Sequence, residues 1–348
     1  MSGPSGPAAA GGLPGGGAPA GAAPAVPGRR RLPAWLNPSD GGLNPGLVAA
    51  LIALFVLLAV GSPYFLSSTN LLNIGKAVAI NGIVAVGETI VIIAGGFDLS
   101  VGSVMAASGM TSAFLIGFGV PLPFAFAVSI ALGIGIGLVN GAIVSYARIN
   151  PLIATLATFA IVRGLAYVVA GGREIVISDP GWLWLGTGTV LGIPVMIVVV
   201  AVAFLVFGWA MPRTVFGRYA YAIGSSARAA RLSGVAVDRW RLAFYLTCGG
   251  LASLAGLVLV ARTGNAQPSA AIGIELEVIT AVILGGTALT GGRGKLAGTL
   301  VALLVLGIVN NGLTLMNVPS YWQQVVRGAI LLAAVLYDEL RRTRRDER

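Results

Sequence analysis

Between Leu43 and Tyr337 the sequence is a succession of apolar runs, each close to the length that crosses a bilayer. About 20 apolar residues span the hydrocarbon core as a helix. Runs of that kind fall at 43–61, 71–95, 99–118, 123–146, 151–170, 189–211, 240–261, 275–290, 296–315 and 320–337. No water satisfies the backbone inside lipid, so each run must close its own hydrogen bonds as a helix. The expected fold is an all-α polytopic membrane protein with about ten transmembrane helices. Only 10% of the 348 residues are charged, against about a quarter in soluble domains. That is too few to coat a folded surface in water, which excludes an ordinary soluble enzyme.

The ends differ from the middle. Residues 1–42 are rich in Gly, Ala and Pro and carry Arg29, Arg30 and Arg31. Such a segment buries no core, so a disordered cytoplasmic tail is expected there. It lacks the apolar stretch and cleavage site of a signal peptide. The transmembrane domain is expected over 43–340, followed by a basic cytoplasmic tail over 341–348.

The net charge of +10 is distributed by side of the membrane, so it reports orientation and not nucleic-acid binding. With ten spans and an inner N-terminus, 17 of the 22 Lys and Arg residues fall in cytoplasmic loops and tails. The exceptions are Lys76, Arg163, Arg173, Arg262 and Arg327. Shifting the frame by one span would scatter the basic groups across both faces, so both termini are expected in the cytoplasm.

Two segments echo each other. Asn140-Gly141 precedes Arg163-Gly164, and Asn311-Gly312 precedes Arg327-Gly328, on spans four and five and on spans nine and ten. An offset of five spans reverses orientation, which fits an inverted five-helix repeat of the kind found in transporters. Similarity between Gly-rich helices by chance is the competing explanation.

Ionisable residues inside a membrane are costly, so they are the first candidates for function. Glu88 lies in the second span, either as a pore-lining or gating residue or as a buried partner for a nearby donor. Asp98 and Ser100 lie in the Gly-rich stretch 95–103 between spans two and three. There they either cap the next helix or mark a re-entrant break beside a translocation path. Arg163 and Arg327 sit inside spans five and ten, where each can pair with Glu88, meet solute hydroxyls or reach the headgroups. Asn81, Asn140, Asn310, Asn311 and Gln267 are amides in or beside apolar runs. They suit neutral hydroxylated solutes, and they also cement helix pairs.

Several chemistries are excluded. There is no His and a single Cys, Cys248, which removes His-based catalysis and clustered metal ligands. No cofactor bound by this chain is expected. A phosphate-binding loop needs G-x-x-x-x-G-K-[ST]. The nearest stretch has Leu289 at the first glycine and Leu296 at the final hydroxyl, so any ATP hydrolysis must come from another subunit.

The loop 212–239 carries five basic residues, and Arg241 follows just beyond it. Within it, SSARAARLSG has a Ser start and a Ser-Gly stop, the marks of a short helix. Such a helix either lies on anionic lipid or docks into a cytoplasmic partner.

These segments together resemble the ribose/xylose-type sugar permeases of bacterial ABC importers. GGFDLSVGS at 95–103 is similar to that family's signature, and NPLIATL at 150–156 follows in the family's order. Phe216-Gly217-Arg218, Ala229 to Val235, Leu284 to Thr287, Gly291 to Gly294, and Ser320 to Gln324 continue the pattern. The resemblance covers about 45–340. It implies that Arg228, Ala229, Ala230, Arg231, Leu232, Ser233 and Gly234 form a coupling helix that docks into an ATP-binding cassette subunit. Family members often carry an acidic residue at the start of this segment, where Ala227 stands here. The resemblance further implies a homodimer of permeases, an extracytoplasmic sugar-binding protein as donor, and location in the bacterial inner membrane. Nucleic acid is not an expected partner. An ion-coupled secondary carrier with Glu88 or Asp98 as coupling site is the alternative, and a carrier has no use for a docking helix.

Overall fold

The computed structural model describes residue 3 and residues 45–346, with side chains described as far as residue 336. The expected tail over 1–42 therefore lies, apart from residue 3, outside the described residues. The described helices belong to one compact unit within Pro33–Arg348.

Among the described residues that unit is mainly helical, with four two-residue strands. In chain order it contains α1 (Pro45–Gly61), α2 (Ser68–Ile93), α3 (Val101–Gly117), α4 (Leu122–Ser145) and α5 (Pro151–Ala170). A short strand β1 (Ile175–Val176), the helix α6 (Pro180–Thr187), and the strands β2 (Thr189–Val190) and β3 (Ile193–Pro194) follow. The second half contains α7 (Val195–Arg213), α8 (Val215–Ser225), α9 (Ala227–Leu232), α10 (Val237–Thr263), β4 (Asn265–Ala266), α11 (Ile274–Leu284), α12 (Leu296–Leu315) and α13 (Ser320–Asp346). Six of these, α2, α4, α5, α7, α10 and α12, are long and apolar enough to cross a membrane. The apolar helices α1 and α3 have 17 residues each.

The centre of the packing is α10, which lies against α2, α3 and α4. Lipid offers no hydrophobic drive between helices, so close approach through small residues supplies the attraction. On α4, Gly133 and Gly137 face Gly249 and Tyr245 of α10. A methyl group at Gly137 would fall on the Tyr245 carbonyl. Gly256 of α10 meets the Met105 backbone of α3, and Gly87 of α2 meets Cys248. Ser253 Oγ donates to the Ser129 carbonyl at 2.7 Å, which fixes the height of α10 against α4.

Each of the ten expected spans contains one long helix or part of one, with three differences. The run at 275–290 is helical only to Leu284. Gly286, at φ +89°, closes a Schellman motif there: its own N–H donates to Ile283 O and that of Thr287 to Val282 O. Eleven residues rise only about 16 Å, short of the roughly 30 Å hydrocarbon core. The run at 189–211 begins its helix at Val195, because Leu191 and Gly192 both have positive φ and turn a β2–β3 hairpin. The last helix continues past the expected span to Asp346, so the expected tail over 341–348 is helical as far as it is described.

Candidate translocation and coupling site

The first candidate region is built where α2 stops. Gly95, at φ +78°, ends the helix with a Schellman pair, Gly96 N–H to Val91 O and Gly95 N–H to Ile92 O, both at 2.9 Å. The chain then runs without helix to Ser100. Asp98 accepts the Ser100 N–H at 2.9 Å and also its hydroxyl. From α4, Asn140 Nδ2 donates to Ser100 Oγ at 2.8 Å and to both Asp98 oxygens at 3.3 and 3.4 Å. Glu88 Oε1 accepts the Asp98 N–H at 3.1 Å, and Cys248 Sγ lies 3.7 Å from Glu88 Oε2. Thr155 takes the Leu99 N–H and Tyr245 donates to the Phe97 carbonyl.

Four of the sequence candidates, Glu88, Asp98, Ser100 and Asn140, thus meet in one knot, all buried. Backbone groups of a non-helical stretch must be satisfied at this depth, and these side chains satisfy them. Glu88 lines neither cavity described below. Sequence reading did not connect Tyr245 or Thr155 to this knot. Both lie on helices whose rotation is set by packing; Thr155 stands in the NPLIATL segment without a sign of its partner, and Tyr245 carried no local signal.

The two candidate arginines go elsewhere, and neither pairs with Glu88. Arg163 is buried and donates through Nη1 to the carbonyls of Pro268 and Ala270, at 2.7 and 2.6 Å. It thereby holds the loop before α11. Arg327 Nη1 pairs with Glu277 Oε2 at 3.3 Å, and its Nε donates to Asn310 Oδ1 at 3.2 Å. Asn310 Nδ2 donates in turn to Glu277 Oε1 at 3.1 Å. Glu277 completes this triad and was not singled out from sequence. Its only sequence mark was a carboxylate in the first turn of a helix, where it also suits the helix dipole.

Beside the triad is a cavity of about 170 Å³ between α2, α11 and α12. Asn73, Asn81, Asn310, Asn311, Glu277 and Thr314 supply its polar lining. Below it, Asn70 and Asn311 exchange amide hydrogen bonds at 3.1 and 2.7 Å.

The third region is the segment 226–234, expected from the sequence to dock a cytoplasmic partner. Ser226 Oγ accepts the Ala229 N–H at 3.2 Å and starts α9. Gly234, at φ +84°, ends it in another Schellman motif, with Val235 N–H to Ala230 O and Gly234 N–H to Arg231 O. Ala230 is buried against the core, while Arg228, Ala229, Leu232 and Ser233 are exposed. Arg231 is held by Asp238 at 2.9 Å. Helix α8 stands before α9 and was not separated from it in the sequence. Tyr221 of α8 donates to the Gly294 carbonyl at 2.9 Å, and burial raises its pKa above the ordinary tyrosine value. Gly292 N–H donates to Ile93 O at 2.8 Å, so the end of α2, α8 and the loop before α12 meet at one face.

Among the described residues, no group of three or more His, Cys, Asp or Glu side chains could hold a metal ion.

Comparison with known proteins gives consistent matches. The family model described as "Branched-chain amino acid transport system / permease component" matches residues 70–335. The chain is 42% identical over 299 residues to the ribose import permease protein RbsC of Escherichia coli (strain K12), covering 83% of this chain and 92% of that protein. It is 41% identical over 293 residues to the L-arabinose transport system permease protein AraH of the same strain, covering 84% and 89%. It is 37% identical over 300 residues to the L-arabinose ABC transporter permease protein AraH of Azospirillum brasilense, covering 86% and 88%. No solved structure matches.

Proposed function

The chain belongs to the branched-chain amino acid transport system permease component family, and on that premise we propose that it is the membrane permease of a bacterial ATP-binding-cassette importer, forming the path for a ribose- or xylose-like monosaccharide or a related polyol. It is a transport subunit and not an enzyme.

The amide-lined cavity between α2, α11 and α12 carries the solute class. Amides donate and accept, which matches hydroxyl groups. The one carboxylate in the lining, Glu277, is already matched by Arg327, so the wall is close to neutral. An amino-acid zwitterion would need unmatched charges of both signs. The names of the most similar relatives point the same way, toward pentoses.

Ten crossings are proposed, with both termini and the segments 1–42 and 341–348 in the cytoplasm. The connections from α4 to α5, α7 to α10 and α11 to α12, with the adjoining helix ends at Arg213, Arg239 and Arg241, hold nine of the 14 basic residues between 45 and 340. Their neighbours meet, as the contacts of Ile93, Tyr221 and Gly292 illustrate. The loops at 171–194 and 262–273 meet separately through the β1–β4 pair. In this reading α11 reaches the inner face through the Gly-rich segment after it.

The inverted five-helix repeat is also proposed. Neighbour relations support it: α10 packs on α3 and α4 as α2 packs on α11 and α12. Likewise α3 touches α4 and α5 as α11 touches α12 and α13. The arginines depart from this symmetry, since Arg327 reaches Asn310 whereas Arg163 does not reach Asn140.

The machine is completed by an ATP-binding cassette subunit docked on Arg228 to Gly234, a second permease copy, surrounding lipid, and an extracytoplasmic sugar-binding protein. The solute path is assigned to Asn310 and Arg327. Glu88, Asp98, Ser100 and Asn140 fix the break at the other end of α2, and Arg163 fixes the loop before α11. This chain binds no cofactor of its own.

The test is reconstitution of the permease with its ATPase and binding protein in proteoliposomes. ATP-dependent uptake of labelled ribose, arabinose or xylose is the expected result, with no uptake of leucine. Leucine uptake overturns the solute class. Accumulation driven by an ion gradient without nucleotide overturns the importer reading.

A further inference from the structure

A larger cavity, about 420 Å³, lies away from the amide-lined one. Its walls are the end of α2 at Gly95 and Gly96, the α4–α5 turn, α9 and the start of α10. Arg148, Arg231 and Arg241 face it, with Asp238 as the acidic group in its lining. Asp238 is taken by Arg231 at 2.9 Å. Among the described residues, the side chains of Arg148 and Arg241 make no hydrogen bond or ion pair. Two positive charges are therefore left uncompensated in a concave site.

Three further observations point to an occupant. Ser145 also lines the cavity, is only 3% exposed, and its Oγ has no hydrogen-bond partner. A buried hydroxyl without a partner calls for one. Arg148 is held at φ +56°, a conformation that side-chain-bearing residues rarely adopt and that concentrates at ligand sites. The 20-residue helix α5 begins at Pro151 on the cavity wall, and helix starts favour negative charge.

We propose that this cavity binds a phosphate-bearing anion, held by Arg148 and Arg241 with Ser145 as a neutral donor. Guanidinium groups match phosphate oxygens in geometry and charge. Because the walls join α9 to the end of α2, an occupant ties the docking helix to the segment that leads into the Asp98 knot. The regulatory consequence, an importer slowed when the anion is bound, rests on the assignment of α9 as the docking helix. The binding itself does not.

The experiment uses the full chain in nanodiscs. In phosphatidylcholine discs, inorganic phosphate titrated at constant ionic strength is expected to bind saturably. In discs with phosphatidylglycerol, retention of the anionic lipid after extraction is read by native mass spectrometry. Arg241→Ala is expected to weaken whichever ligand binds about tenfold, a loss of about 1.4 kcal/mol. Arg148→Gly provides a variant that removes the charge and suits the positive φ. Phosphate binding assigns the site to a soluble anion, and lipid retention assigns it to a headgroup. Absence of both, or binding unchanged in both variants, overturns the proposal. Sugar uptake by the complete importer is measured in parallel, so a failed site is distinguished from a failed functional reading.

Discussion

Asp98 donates its backbone N–H to Glu88 Oε1 at 3.1 Å, ten residues back along the chain. A side chain within α2 thus satisfies the backbone of the segment that follows it. Both residues are buried, so the bond has no water to replace it. Glu88→Ala leaves that N–H and the Cys248 thiol without their acceptor. Loss of one partner from a buried pair costs about 1–3 kcal/mol. A lower thermal midpoint in detergent is the expected result, with Glu88→Gln much closer to wild type because an amide oxygen still accepts.

Asn140 bridges α4 to the same segment through Ser100 and Asp98. Asn140→Leu is expected to destabilise by about 1–3 kcal/mol and to speed hydrogen exchange at Leu99 and Ser100. Unchanged exchange at those amides would show that the bridge does not hold the break.

The α4–α10 contact depends on bare backbone. Gly137→Ala places a methyl group on the Tyr245 carbonyl and forces the helices apart. Overpacking of this kind costs about 1–3 kcal/mol. Thermal unfolding measures it, and Gly135→Ala is the control, since a methyl group there meets open space.

Gly234→Val acts at the end of α9. A left-handed backbone costs a side-chain-bearing residue about 1–2 kcal/mol, so the Schellman end of the helix is lost. ATP-dependent uptake and copurification of the ATPase subunit are expected to fall about tenfold, equivalent to about 1.4 kcal/mol, while the amount of permease in the membrane stays constant.

For the amide-lined cavity, Asn310→Leu removes a donor to Glu277 and the acceptor of Arg327 Nε, leaving Arg327 held by Glu277 alone. Uptake at low sugar concentration is expected to drop at least tenfold, about 1.4 kcal/mol. Arg327→Lys keeps the charge but not the second hydrogen bond to Asn310, and an intermediate loss is expected.

Much of the fold was legible because lipid imposes one rule on every span, and hydropathy reads that rule directly. The limits of α4, α5 and α12 match the apolar runs within a few residues. The end of α11 was not found, although its cause, Gly285-Gly286, was in view. Hydropathy continues past Leu284 while backbone conformation does not. At the site, Glu88, Asp98, Ser100 and Asn140 were recognisable as costly polar groups. Their meeting was not, because partners are chosen by helix rotation. For the same reason Glu277 went unnoticed as the partner of Arg327.

The glycine contacts around α10 also decide how such a gate can work. A helix gripped backbone to backbone on three sides can neither slide nor roll without breaking several contacts at once. On the proposed importer reading, the expected moving parts are therefore helices outside these glycine contacts, such as α5, α7 and α13, with α10 as a stationary spine.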